Sequence, residues 1–394
     1  MVSESSQANP GQSRKLRLGM VGGGQAAFIG GVHRIAARID GRYELVAGAF
    51  SSTPEKSKAS GLELGVAADR CYGDFEEMAK REKRRKDGID VVAIVTPNHV
   101  HFPAARAFLE RGIHVICDKP LTTTLKDARK LAQLVEKSGC VFVLTHNYTG
   151  YPMVRQARQM VADGCLGQIR VIQVEYAQDW LTTKLEDSGQ KQAAWRTDPA
   201  RSGPAGCTGD IATHAMNLAT FISGLTLESL SADLATFLPG RVLDDNAHVM
   251  LRFAGGAKGM LWASQVAPGN ENALRIRIYG DKGGLAWAQE DPNYLQHTPY
   301  GQPPQLIRRG GAGADAVAGR VTRIPAGHPE GYLEGFANLY SDAAELIAAR
   351  LDGRAPDPAA MLVPTVQDGV AGVKFIEAVV ESSRKNGAWV GAGV

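Results

Sequence analysis

No stretch of this sequence approaches the ~20 consecutive apolar residues that a bilayer-spanning helix needs, which argues against an integral membrane protein. The first 15 residues hold no apolar core of the kind a secretory leader requires, so export is not expected. Cysteine is scarce: Cys71, Cys117, Cys140, Cys165 and Cys207 are odd in number and form no C-x-x-C pair. Neither a disulfide framework nor a zinc knuckle is expected, and a reducing, cytoplasmic compartment is. Charge of one sign is also lacking. Lys and Arg total 44 against 41 Asp and Glu, and the formal +3 gives no ground for a nucleic-acid partner. Internal repeats and low-complexity tracts are absent. What remains is ordinary globular composition, 44% hydrophobic and 22% charged, in 394 residues. That length suggests two or three domains with cores large enough to need no staples.

Residues 1–14 are polar and aperiodic and read as a mobile tail. From Lys15 apolar runs alternate with helical patterns: strands at Leu16–Val21, Tyr43–Phe50, Ile89–Val95, Ile113–Cys117 and Val141–Leu144, and helices at Ala26–Ile39, Phe75–Arg85, Phe102–Arg111 and Thr124–Ser138. This rhythm predicts a doubly wound parallel sheet over residues 15–147. Residues 148–394 read differently. Strands at 169–178, 230–238, 247–253, 259–266, 273–280 and 284–288 follow one another with little helix between, which predicts a large, mostly antiparallel sheet. Helices are expected at 152–162, 210–222, 331–351 and 363–385, and the Pro/Gly/Gln-rich residues 291–326 read as a long surface excursion. The fold class is therefore α/β, a Rossmann-type domain followed by an α/β domain.

Gly22-Gly23-Gly24-Gln25-Ala26-Ala27 matches G-x-G-x-x-A between a predicted strand and a predicted helix. Gly22 permits the tight turn, Gly24 lets the backbone approach a pyrophosphate, and Ala27 allows close helix packing. Helix N–H groups at Gln25 and Ala26 suit the phosphate charge, although an ordinary glycine turn has the same composition. An acid at the tip of the second strand would bind the ribose 2′-OH of NAD. Here Ser51 and Ser52 stand at the tip and Lys56 and Lys58 follow, which suits a 2′-phosphate or a solvated helix face. NAD and NADP both remain open.

Asp118-Lys119-Pro120 and Thr96-Pro97-Asn98-His99-Val100-His101 each follow a predicted parallel strand, where ligands bind in open α/β sheets. Lys119 can stabilise an alkoxide or stand as an exposed turn lysine. Thr96, Pro97, Asn98, His101 and Asp118 are expected to line the nicotinamide end, with His99 read as a cap. Asp210 and His214 are four apart on a predicted helix and project from one face. A His held by a carboxylate is a natural proton acceptor, and a surface pair is the plain alternative. No further ligand at metal-site spacing accompanies them, so no metal is assigned. Trp195-Arg196 suits sugar or carboxylate recognition or core packing. Asn147, Tyr148 and Tyr151 lie where the chain crosses between domains, and His328 and Tyr332 open the penultimate helix. The Lys80–Lys86 run ends a helix and reads as a solvated face.

In order and spacing these motifs resemble the glucose–fructose oxidoreductase/inositol dehydrogenase family, written Gfo/Idh/MocA, over nearly the whole chain from Lys15. The marks are the Gly22–Ala27 loop, Thr96-Pro97-Asn98-His99, Asp118-Lys119-Pro120, Trp195-Arg196 and Gly209-Asp210-Ile211-Ala212-Thr213-His214. The resemblance implies NAD(P)-dependent interconversion of a secondary alcohol and a ketone on a sugar, glycoside or cyclitol. It implies Lys119, Asp210 and His214 as the catalytic set, with Tyr148, Trp195, Arg196 and His328 joining them on the substrate. It also implies a homodimer or homotetramer built through the open sheet. Two departures stand out. The motif is usually Glu-Lys-Pro, and here Asp118 takes the first place; the acid after the second strand is replaced around Ser51. Alternatives within the same resemblance are a glycosidase that holds NAD and oxidises C3 transiently, and a non-enzymatic dinucleotide-binding regulator.

Overall fold

Short apolar runs, alternately flanked by helices, build the first sheet. The structure, a computed structural model, describes residues 14–25 and 27–393. Most of the expected tail lies outside the described residues. Its last member, Arg14, is held by Asp90 through two 2.7 Å bonds. The first half runs β1 (Leu16–Gly22), α1 (Phe28–Ile39), β2 (Tyr43–Ala49), α2 (Pro54–Glu63), α3 (Phe75–Arg84), β3 (Val91–Val95), α4 (His101–Leu109), β4 (His114–Cys117), α5 (Leu125–Ser138) and β5 (Phe142–Leu144). The five strands are parallel in the order β2-β1-β3-β4-β5. Every residue of β3 and β4 is buried, as strands covered on both faces require. Local signals set the helix ends: Thr124 caps α5 through the Asp127 N–H, and Gly139 closes it in the left-handed region.

The second half runs α6 (Pro152–Ala162), β6 (Ile169–Ala177), α7 (Lys191–Arg196), α8 (Pro199–Ser202), α9 (Thr213–Ser223), β7 (Leu227–Ala235), β8 (Asn246–Phe253), β9 (Lys258–Ser264), β10 (Ala273–Gly280), β11 (Gly283–Ala288), β12 (Tyr294–Pro299), β13 (Gln305–Arg308), α10 (Ala316–Arg320), α11 (Tyr332–Asp352), α12 (Val366–Arg384) and β14 (Val390–Gly391). Nine strands form one sheet, β13-β12-β11-β10-β6-β9-β8-β7-β14, antiparallel except for the β6–β9 pair. Strict alternation in β8 and β10 turns one face onto α6 and α9 and leaves Val171, Met250, Met260 and Tyr279 exposed on the other.

Two expectations need correction. Residues 291–326 are not a structureless excursion: β12 and β13 extend the sheet and α10 follows. Most of their Pro and Gly residues, among them Pro292, Gly301, Pro303, Gly310 and Gly313, sit between elements, so the composition marked corners. The helix expected from Asp210 begins as a π-turn over Thr208–Ala212, and α9 starts only at Thr213.

The closing helices return to the first sheet. Phe336, Leu339, Tyr340, Ala343 and Ile347 of α11 share a core with α1 and the β1/β3 face. Val366, Val370 and Val373 of α12 join the opposite face, while Phe375, Ala378 and Val379 of the same helix enter the core of the second sheet. One helix is thus buried in both domains. No helix among the described residues is long and apolar enough to cross a membrane.

The fully buried Arg155 of α6 meets Asp342 of α11 at 2.6 Å, and Arg320 binds the other carboxylate oxygen at 2.6 Å. Removing one partner leaves buried charge uncompensated. Asp342→Ala is therefore expected to destabilise the chain by about 3–5 kcal/mol, read as a lowered midpoint of urea unfolding; an unchanged midpoint would contradict this account.

Candidate active site

The first element of the site is the turn after β1. Gly22 and Gly23 have φ of +79° and +69°, and a Cβ on Gly22 would stand 2.5 Å from the Val95 carbonyl oxygen. A Cβ on Gly24 would stand 2.7 Å from the Phe50 carbonyl oxygen. Helix α1 then starts at Phe28 with no side-chain cap and no acid in its first turn, so its N–H groups are free for an anion. This cradle fits a dinucleotide pyrophosphate. Ala26 lies outside the described residues. The Gln25 side chain turns away, donating to Glu63 at 2.6 Å, and its N–H donates to Ser60 Oγ. At the tip of β2 the Ser51 hydroxyl accepts from the Thr53 N–H, while Ser52 and Lys56 are exposed.

The loop after β3 departs from expectation. Asn98 donates to the Ser202 carbonyl at 2.8 Å and so ties this loop to the second domain. His101 is fully buried, its ring nitrogens 2.8 and 2.9 Å from the Pro120 and Thr96 carbonyl oxygens. Both His101 ring nitrogens are thus occupied, whereas Asn98 keeps its Oδ1 and a second N–H. Both residues brace loops, because α4 begins at His101 and turns the ring inward. Thr96 and Pro97 are half-buried, and Thr96 Oγ1 finds no partner among the described residues. His99 is exposed.

Lys119, just past β4, reaches across to the second domain. Its Nζ donates to the Asp210 carbonyl at 2.5 Å and to Oδ1 at 3.0 Å. The other Asp210 oxygen accepts from Arg196 Nε at 3.2 Å and Gln265 Nε2 at 2.9 Å. Arg196 lies over the Trp195 ring, 4.3 Å from its centroid. Burial alone would raise the Asp210 carboxyl, but the Lys119 and Arg196 cations, with the bonds from Lys119 and Gln265, hold it well below the usual carboxylate range. The expected Asp210–His214 hydrogen bond is not formed. The π-turn changes the angular offset of the two residues, and three other donors occupy the carboxylate.

His214 instead stands in an aromatic wall. Its ring is edge-on to Tyr148 (4.9 Å), His146 (5.3 Å) and Tyr176 (6.3 Å). Nδ1 of both His146 and His214 is buried without a partner. Burial, reinforced by the Lys119 ammonium, pushes His146 down to about 3. Burial, Lys119 and His146 together hold His214 well below its usual range, and Asp210 opposes them only in part. Both rings are neutral at physiological pH.

The far wall is the end of the second sheet. The Tyr148 and Tyr176 hydroxyls are 2.5 Å apart, Tyr176 donates to Asn272 Oδ1 (2.6 Å), Gln178 donates to the same oxygen (2.8 Å), and Trp180 donates to Gln178 (3.1 Å). The register explains the gathering: Ala177 pairs with both Ser264 and Ala273, so Tyr176, Gln178, Gln265 and Asn272 share one sheet end. None of these four, nor His146, stood out in the sequence. The four sheet-end residues are aligned by two pairings, β6 with β9 and β6 with β10, that local sequence does not reveal. Tyr332 joins the wall 6.5 Å from Tyr148. His328 is exposed in the turn before it and takes no part in the bonds to Asp210.

This arrangement has close counterparts. Residues 16–148 match the oxidoreductase family with an NAD-binding Rossmann fold, and residues 154–286 match the GFO/IDH/MocA C-terminal domain. The chain belongs to the Gfo/Idh/MocA oxidoreductase family. An oxidoreductase structure from Sinorhizobium meliloti is 59% identical over 96% of this chain and 100% of that one, with a TM-score of 0.88. An inositol dehydrogenase homologue from Azotobacter vinelandii, solved with NADH and myo-inositol, is 36% identical over 96% and 98%, with a TM-score of 0.89. Levoglucosan dehydrogenase of Pseudarthrobacter phenanthrenivorans is 28% identical over 96% of this chain and 98% of its own. As a member of this family the chain is an oxidoreductase with a pyridine-nucleotide cofactor.

The buried imidazoles make an acid-lability prediction. His114 is pushed down to about 4, mainly by burial, His146 to about 3, and His214 lower than its usual range. In the unfolded chain each titrates near 6.5. As pH falls below that value the unfolded state alone takes up protons, so stability falls with pH. His114 and His146 each contribute a loss of roughly 2 kcal/mol by pH 5, and His214 adds in the same direction. Asp118 and Asp210, whose folded values are depressed, contribute losses only below about pH 4. Urea midpoints measured from pH 7.5 to 5 should fall steadily; a flat profile would contradict the neutral, buried rings.

Proposed function

We propose that this chain oxidises a secondary alcohol on a neutral sugar, glycoside or cyclitol, or reduces the corresponding ketone. The supporting observation is the convergence, across the domain boundary, of one ammonium (Lys119), one carboxylate (Asp210) and one neutral imidazole (His214) beside an uncapped dinucleotide turn. The nucleotide, held by Gly22–Ala27, the β2 tip and Thr96-Pro97, supplies the hydride acceptor. His214 takes the hydroxyl proton, since only a neutral ring can accept one. Asp210 is the group that favours the protonated ring. Lys119 stabilises the alkoxide oxygen as negative charge develops there. Asp210 anchors Lys119 and Arg196 and can accept a neighbouring substrate hydroxyl.

The substrate class rests on the remaining groups. The cations of the site are already paired with Asp210, and the rest of the lining is neutral: Gln178, Gln265, Asn272, Tyr148 and Tyr176. Amides and phenols recognise hydroxyls, and the Trp195 and Trp180 rings suit the C–H face of a sugar. The β2 tip offers hydroxyls and Lys56 where an acid would select NAD, which supports use of NADP as well as NAD.

The test is reduced-nucleotide absorbance at 340 nm, with NAD and NADP offered separately against inositols, levoglucosan and free sugars. Lys119→Ala and His214→Ala should each lower kcat by about 10²–10⁴-fold at saturating cofactor. Turnover equal to wild type in either variant would overturn the assignment. The exposed face carrying Val171, Met250, Met260 and Tyr279 suits a second copy of the chain, giving a homodimer or homotetramer. Light scattering at micromolar protein should give at least twice the chain mass; a monodisperse monomer would count against it.

A further inference from the structure

Behind the cleft lies a polar chain that the reaction itself does not use. His33, in α1, has no exposed surface. Its Nε2 is 3.0 Å from Asp118 Oδ1, and its Nδ1 is 2.8 Å from the Tyr340 hydroxyl of α11. A carboxylate oxygen can only accept, so Nε2 carries the hydrogen. Thr145, just past β5, donates to the same Oδ1 at 2.6 Å. Oδ2 takes no bond from the described side chains or backbone. Phe336 and Tyr340 pack on the imidazole at 5.0 and 5.7 Å, fixing its plane.

The burial cost of this group asks for a reason. A carboxylate in the core is costly unless its partners are in place. Burial works to raise the Asp118 carboxyl, and His33 and Thr145 reverse the effect. His101, Tyr332 and Tyr340 also face it. The next residue along the chain is Lys119, whose ammonium must cross the cleft to Asp210. Fixing Asp118 fixes where the Lys119 side chain begins.

We propose that His33 is a positioning residue: by holding Asp118 from behind, it aims Lys119 at Asp210, and it links that aim to the dinucleotide helix α1 and to α11. The consequence for turnover rests on the dehydrogenase reading above, whereas the aim of Lys119 does not. His33→Phe keeps the ring and removes both polar contacts. His33→Gln returns an N–H that can reach Asp118. Thr145→Val removes the second donor with little change in shape.

The first readout is the rate of reductive methylation of Lys119 in the full-length protein, followed by peptide mass spectrometry. Lys119 should react about tenfold faster in His33→Phe, and the wild-type rate should return in His33→Gln. The second readout is kinetic, with the substrate found at 340 nm. His33→Phe should lower kcat about 10–100-fold while substrate KM and NAD affinity stay within about threefold, and His33→Gln should recover most of the loss. If His33→Phe does not fold, Thr145→Val is read in the same way, with the same direction expected. Unchanged Lys119 reactivity overturns the proposal, as does equal loss in the Phe and Gln variants. An active Lys119→Ala enzyme would overturn the dehydrogenase reading, whereas a dead Lys119→Ala enzyme beside a normal His33→Phe enzyme would overturn only the role of His33.

Discussion

The carboxylate of Asp210 is where the two halves of the molecule meet chemically. It accepts from a lysine of the first domain and from an arginine and a glutamine of the second. Each donor would be costly to bury alone, and the carboxylate more so. Together they form a mutually compensated set of charges, and His214 stands beside it in an aromatic wall. The depressed basicity of that ring follows from the same burial. Of the groups that act on it, only Asp210 favours the protonated ring.

Such a set demands that the two sheets keep their distance. Helices α11 and α12 meet that demand. The first packs beside α1 on one face of the Rossmann sheet, and the second runs from the opposite face into the core of the nine-stranded sheet. Asn98 adds a direct bond from the β3 loop to Ser202. Burial of apolar side chains on a shared helix is non-directional but large, and the directional bonds then select the register. Precision in the cleft thus rests on cores that lie well away from it.

Much of this was legible in the residues. Periodicity located the parallel strands, because β3 and β4 are apolar throughout and only a doubly covered sheet produces that pattern. The glycine turn and the Lys119, Asp210 and His214 positions were visible as local motifs. Contacts between distant segments were not. Nothing local announces that Gln178, Gln265 and Asn272 sit at one sheet end, since that depends on the pairing of β6 with both β9 and β10. His101 misled for the complementary reason: its ring turns inward, with both nitrogens on backbone carbonyl oxygens. The π-turn before α9 shows the same limit, since periodicity counts residues and not their angular offset.

The sharing of α11 and α12 also sets an order of events at the ribosome. The strands of the first sheet are complete once Leu144 has emerged, but both faces of that sheet await side chains between Tyr332 and Arg384. At the usual rate of synthesis the interval is roughly 10–50 s. For that time the nascent nucleotide domain carries uncovered Val, Ile and Phe, and its parallel strands pair slowly. Helices α1, α3, α4 and α5 cover part of each face meanwhile, and the two faces are completed only when α11 and α12 have been made.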